Sequence, residues 1–195
     1  GVLSVNDHLA LSQENKLTQY GQLELIETQT YSSTVSEIDF INIKQDIYDV
    51  HFMTFTNMKT AGDNQETICI RFMVGGVAQS TSSYERALQR VSGDASLFNG
   101  SQSTGDSQFR IIYGTGTATG ESTNGYAYFY HLGDSTKFSY MSTHVTSMTS
   151  DAKDAHAYGS SRYKVANEVN GIQVRKNSGD YSDFTVSLYG IRGYA

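Results

Sequence analysis

From Gln22 onward the chain is punctuated: short runs of alternating apolar and polar residues recur, and clusters of Gly, Asn, Asp and Ser separate them. A period of two puts successive side chains on opposite faces of an extended strand, so a chain patterned this way must fold as many short strands with little helix. The runs are QLELIETQT (22–30), 33–41, 46–56, 66–74, 106–114, 124–132, 135–144, 170–177 and 183–191, with a further one near 157–166. Their alternation marks core faces. Ile68, Ile70 and Phe72 fall on one side of their run, with Cys69, Arg71 and Met73 on the other; Ile172 with Val174, and Phe184 with Val186 and Leu188, behave likewise. Gly75-Gly76, Asn124-Gly125, Asn170-Gly171 and Leu132-Gly133-Asp134 supply the chemistry of tight turns. SSYERALQRV (82–91) brings Ala87, Leu88 and Val91 together on a helix but suits an edge strand or a single helical turn equally well.

Composition agrees with this pattern. The 195 residues contain no proline, 18 Gly and 14 Tyr, and 43 of them are Ser or Thr, which suit half-exposed strands better than solvated helices. The length fits one domain with a short arm. Residues 1–21 form that arm, because Val2, Leu3, Val5, Leu9, Leu11 and Leu17 keep neither a helical nor a strand period. Residues 22–195 form an all-β antiparallel sandwich, a two-sheet jelly roll or a related Greek key.

Charge and motifs narrow the functional classes. The net charge is −6, no Lys/Arg run occurs, and residues 1–66 hold ten acids against three bases, so nucleic acid is not an expected partner. No stretch of 18 apolar residues and no cationic flank before an apolar block is present, so neither a membrane span nor secretion is expected. The single cysteine, Cys69, sits mid-strand and reads as a packing thiol, and it rules out a disulfide framework.

The five histidines, His8, His51, His131, His144 and His156, lack the spacing of a metal site; only His51 and His131, both within strands, offer a pair that a sheet can bring together. Gly114, Gly116 and Gly120 resemble a phosphate loop but no helix follows them, which leaves a flexible hairpin connection. Asp151, Asp154 and His156 read as a solvated turn rather than a calcium loop, and Asn99-Gly100-Ser101 as a turn. No metal and no cofactor is expected. The strand carboxylates Glu24, Glu27, Glu37, Asp39 and Asp49 are the types a glycosidase pairs, although exposed strand faces account for them without catalysis. Tyr126, Tyr128 and Tyr130 form an alternating stripe, with Tyr140 on the following run. Such a stripe is either a contact platform for glycan or protein, or a face packed against the partner sheet or the arm.

Three segments carry a resemblance: LIETQTYSSTVSEIDFINIKQDIYDVHFMTFTNMKT, TNGYAYFYHLGDSTKFSYMSTHVTSM and NGIQVRKNSGDYSDFTVSLYGIRGYA. In the order of its elements the chain resembles small virion structural proteins of marine and cyanobacterial tailed bacteriophages. The resemblance implies a jelly-roll-like sandwich on the particle exterior, as a capsid decoration, a head fibre or a tail-fibre tip, made in the host cytoplasm. It implies no catalytic residues. The expectation is a non-enzymatic virion protein whose arm residues Leu3, Val5, Leu9 and Leu11 bury themselves in a neighbouring virion protein such as the major capsid protein. Unprotected sandwich edges and the trimeric habit of such proteins lead to an expected homotrimer. The alternative is a receptor-binding tip that contacts a host-surface glycan through Tyr126, Tyr128 and Tyr130.

Overall fold

The computed structural model describes residues 4–13, 23–62, 65–93 and 98–192. One helix, α1 (Val5–Gln13), precedes the strands. Its start is fixed locally: Ser4 Oγ accepts from the Asp7 amide at 3.2 Å, and Asp7 Oδ2 accepts from the Ser4 amide at 2.8 Å. This reciprocal cap, with Asp in place of the usual Glu, helps a short segment become helical without a clean apolar period. The Ser4 hydroxyl, which donates to Asp7 Oδ2 at 2.6 Å, and then the Ser4 amide hold the Asp7 carboxyl below the usual carboxylate range. The arm therefore contains a helix that apolar spacing alone did not indicate.

The strands are β1 (Leu23–Tyr31), β2 (Glu37–Phe40), β3 (Val50–Thr60), β4 (Gln65–Val74), β5 (Val77–Ala78), β6 (Tyr84–Ser92) and β7 (Phe98–Asp106). The second half adds β8 (Phe109–Thr115), β9 (Thr123–Tyr130), β10 (Ser139–Met148), β11 (Asp154–Tyr163), β12 (Gly171–Arg175) and β13 (Tyr181–Ile191). They form a large sheet in the order β1-β13-β3-β9-β10-β11-β6-β7, and a small sheet in the order β2-β12-β4-β5 with β8 also on β4.

Eight of these strands make a jelly roll. β1 pairs with β13, β2 with β12, β3 with β9 and β4 with β8, all antiparallel. The first strand thus meets the last and each inner pair nests within the one before it, which is one long antiparallel ribbon rolled into two layers. Two insertions widen the large sheet: β10 and β11 extend it beyond β9, and β6 and β7, placed between β4 and β8 in sequence, continue it to the edge.

Alternation puts the expected residues between the layers. Ile68, Ile70, Phe72, Ile172, Val174, Phe184, Val186 and Leu188 are all buried in the core. Phe72 lies at the centre, with Phe109, Phe129 and Tyr163 edge-on to it at 5.2, 5.9 and 5.8 Å. Burying one such ring stabilises the fold by roughly 1.5–3 kcal/mol. At one end Thr115 of the small sheet meets Thr123 and Ser147 of the large sheet, with hydroxyl oxygens 2.6 and 2.9 Å apart, so these buried hydroxyls satisfy one another.

Several local expectations need correction. SSYERALQRV is a strand: Tyr84 and Leu88 point inward, while Ala87 and Val91 lie on the other face. A spacing of four residues is even, so it returns to the same side of a strand as well as of a helix, and this is why the segment looked ambiguous. Asn124-Gly125 lies within β9 and Asn99-Gly100-Ser101 within β7, neither in a turn. Gly125 is there because its backbone runs against Val145; a Cβ would fall 2.4 Å from that side chain. Residues 116–122 connect the two sheets and do not close a hairpin. Asp154 and His156 belong to β11, with only Asp151 in the preceding turn.

Candidate functional site

Along β9 the parity is decisive: Ala127 and Phe129 are fully buried, so Tyr126, Tyr128 and Tyr130 point away from the core onto the outer face of the large sheet. Packing against the partner sheet is thereby excluded for these three rings. Tyr126 is 38% exposed, and Tyr128 and Tyr130 are half-buried by their lateral neighbours. Strand register aligns those neighbours. Tyr189 of β13 stands opposite Phe52 of β3, and Phe52 opposite Tyr128. In the adjacent row Tyr126 stands opposite His144 of β10, and His144 opposite Tyr158 of β11.

The result is a continuous row of rings across five strands. Centroids are 6.0 Å apart for Tyr189 and Phe52, 4.7 Å for Phe52 and Tyr128, and 5.8 Å for Phe52 and Tyr126. The row continues at 6.0 Å from Tyr126 to His144 and 6.2 Å from His144 to Tyr158. These spacings fall within the range of favourable aromatic pairs. Leu25, 58% exposed and opposite Tyr189, extends the apolar surface onto β1. On one side the row is bordered by hydroxyl pairs, Thr28 with Ser187 at 2.8 Å and Thr30 with Thr185 at 3.0 Å. A flat apolar strip edged by hydroxyls can stack on the face of a sugar ring or pack against protein while its rim exchanges hydrogen bonds.

At the other side lies a polar cleft. Tyr130 stands opposite Tyr140, and the His131 ring lies edge-on to Tyr140 at 6.1 Å. His131 opens a cleft of ≈410 Å³ lined also by Gln45, Asp46, Asp49, Asp134 and Lys137. Lys137 pairs with Asp134 at 2.7 Å, and this contact, with help from Thr136, holds the Asp134 carboxyl far below the usual carboxylate range. Two loops approach closely here because Gly133 has no side chain; a Cβ would lie 2.2 Å from the Gln45 carbonyl oxygen.

Other candidates from the sequence are placed as follows. Leu3 lies outside the described residues, whereas Val5 and Leu9 of α1 are 84% and 57% exposed and Leu11 is half-buried. His51 and His131 do not form a pair: His51 is fully buried with Nε2 donating to the Ile43 carbonyl at 2.7 Å, while His131 is exposed at the cleft. Among the described residues no group of three His, Cys, Asp or Glu is placed to hold a metal ion. Glu27, Glu37 and Asp39 share an open groove of ≈550 Å³ between β1 and β2, where Glu37 and Asp39 are exposed. Glu24 is apart from them, accepting from the Tyr48 hydroxyl at 2.7 Å, and Asp49 lines the polar cleft.

Phe52, His144, Tyr158 and Tyr189 went unrecognised in the sequence as members of the row. Each alternates correctly within its own run, but only the strand order β13-β3-β9-β10-β11 makes them neighbours.

No family model and no curated protein matches the chain. Among solved structures, the exo-inulinase from Aspergillus awamori is similar over 90% of this chain, with 11% sequence identity and a TM-score of 0.47. The chain spans 31% of the length of that enzyme, and a likeness this distant carries no argument about function.

Proposed function

We propose that the chain is a non-enzymatic structural protein of a bacteriophage virion, attached through residues 1–21 and presenting its jelly roll on the particle exterior as a capsid decoration or head-fibre protein. The observation that carries this reading is α1, a self-capped helix whose Val5 and Leu9 are 84% and 57% exposed. Seating either side chain in a neighbouring virion protein, such as the major capsid protein, gains up to roughly 1.5–3 kcal/mol. Free edges support assembly further: within the described residues β1 pairs only with β13, and β7 only with β6, each leaving one long edge without a strand beside it. A homotrimer covers such edges without proline. Particles assembled with protein lacking residues 1–21 test the reading. The truncated sandwich is expected to fold and to be missing from purified particles; full occupancy without the arm would overturn it.

A second reading, a tail-fibre or receptor-binding tip for a host-surface glycan, is favoured by one specific observation, the ring row through Phe52, Tyr126 and Tyr128. It makes the row the contact surface. A glycan array probed with the protein and with Tyr126→Ala distinguishes the readings: decoration alone gives no glycan signal, whereas a receptor tip gives a signal that the substitution reduces.

A further inference from the structure

The small sheet has an outer face of its own, remote in character from the aromatic row. Arg71 of β4 and Arg175 of β12 project from it, because their neighbours Ile70, Phe72 and Val174 point into the core. Both guanidiniums fall on one turn. Arg71 Nε donates to the Ser107 carbonyl at 3.2 Å, and Arg175 Nη1 donates to Gln108 Oε1 at 2.9 Å. Gln108 is buried and its amide nitrogen already donates to Asn177 Oδ1 at 2.9 Å, so the turn that holds the two arginines is itself fixed.

Arg86, Arg162 and Arg192 each face a carboxylate, namely Asp106, Glu85 and Glu24. Arg71 and Arg175 donate to neutral acceptors, and Glu37 stands opposite Arg175 in the ladder of β2 and β12. Partial burial, and then the Arg175 charge beside it, lower the Arg71 pKa from its ordinary value, with Glu37 acting in the opposite direction. The Nε–H of Arg175 is buried without a partner. Next to Arg71, on β12, Gln173 is 5% exposed; its nitrogen donates to Asp39 Oδ1 at 3.0 Å, and its Oε1 is a buried acceptor without a donor.

We propose that this face binds an acidic saccharide, with a carboxylate or sulfate group held by Arg71 and Arg175 and a neighbouring hydroxyl donating to Gln173 Oε1. An oxyanion relieves the repulsion between the guanidiniums and takes their planar donors, and Arg suits such a group better than Lys does. The hydroxyl satisfies the orphaned amide oxygen, which an inorganic anion has no proton to do. Exposed Glu37 and Asp39, on the same face of β2, accept from further hydroxyls at the rim and disfavour a ligand of high charge density.

Isothermal titration of the full chain with trigalacturonate, cellotriose and sodium sulfate tests the site. Trigalacturonate is expected to bind, cellotriose not to bind, and sulfate to bind more weakly than trigalacturonate. Arg175→Gln is expected to weaken trigalacturonate about tenfold, the loss of one charge-assisted hydrogen bond. Raising salt to about 1 M, where the Debye length is about 3 Å, is expected to weaken it without any substitution and so guards against a variant that fails to fold. No binding of trigalacturonate by folded protein, unchanged affinity in Arg175→Gln, or equal affinity for cellotriose would overturn the proposal. Arg175 lies on the small sheet and the aromatic row on the large one, so a loss of trigalacturonate affinity in Arg175→Gln is separable from failure of the aromatic row.

Discussion

His51 is a buried imidazole with one defined tautomer. A carbonyl only accepts, so the 2.7 Å contact with Ile43 places the ring proton on Nε2 and leaves Nδ1 buried without a partner. Protonation would put a charge into this dry environment, and burial accordingly lowers the His51 pKa from its ordinary 6.5. A histidine with a depressed folded-state pKa gives its full contribution above the unfolded value and loses it as pH falls through the folded one. Thermal melts are therefore expected to be flat above about pH 6.5 and to decline below it, before carboxylates titrate, with the decline reduced in His51→Gln. An unchanged slope in the variant would place the sensitivity elsewhere. Gly190 is a second test at this scale. The Tyr48 ring lies on its backbone, and a Cβ there would meet the ring at 2.3 Å. Gly190→Ala is expected to cost about 1–3 kcal/mol in urea denaturation, the range for overpacking. Nothing in LYGI announces this contact, because it joins residues far apart in sequence.

Single strands were legible where alternation was strong and obscure where other forces decide. Ile68, Ile70 and Phe72 declare a core face because three apolar residues at period two admit one packing. By contrast β7 has almost no apolar residues, and its large one, Phe98, is 70% exposed. It is a strand because β6 offers it an edge, with Arg86 on one strand reaching Asp106 and Ser101 on the other. β6 in turn is anchored by Tyr84, whose hydroxyl accepts from the Phe72 amide at 3.0 Å and donates to the Gln79 carbonyl at 2.9 Å. Removing this hydroxyl leaves the buried Phe72 amide and the half-buried Gln79 carbonyl short of a partner. Tyr84→Phe is expected to cost about 1–3 kcal/mol and to speed amide exchange at Phe72. Wild-type stability in the variant would show that water replaces the hydroxyl.

At the scale of the whole molecule, nested pairing explains why the sandwich was readable and the site was not. Many short alternating strands fold into two layers, and the two-layer class follows from the pattern. The pairings of β1 with β13 and β3 with β9 link segments over a hundred and over sixty residues apart, and no local signal encodes such register. The aromatic row depends wholly on it, so Tyr126, Tyr128 and Tyr130 were visible within one strand while Phe52, His144, Tyr158 and Tyr189 were not. The arm shows the converse: its exposed apolar residues were evident, and its helix, set by the Ser4 and Asp7 cap, was not. Sedimentation at micromolar concentration is expected to give a trimer, and a monomer at all concentrations would leave the edges of β1 and β7 to another partner.

The most direct measurement is a side-chain-resolution reconstruction of the intact particle. The expected result is the jelly roll on the particle exterior, with Val5, Leu9 and Leu11 seated in a neighbouring virion protein. A sandwich facing the particle interior, an arm lying in solvent, or particles that lack the chain would contradict the proposed role.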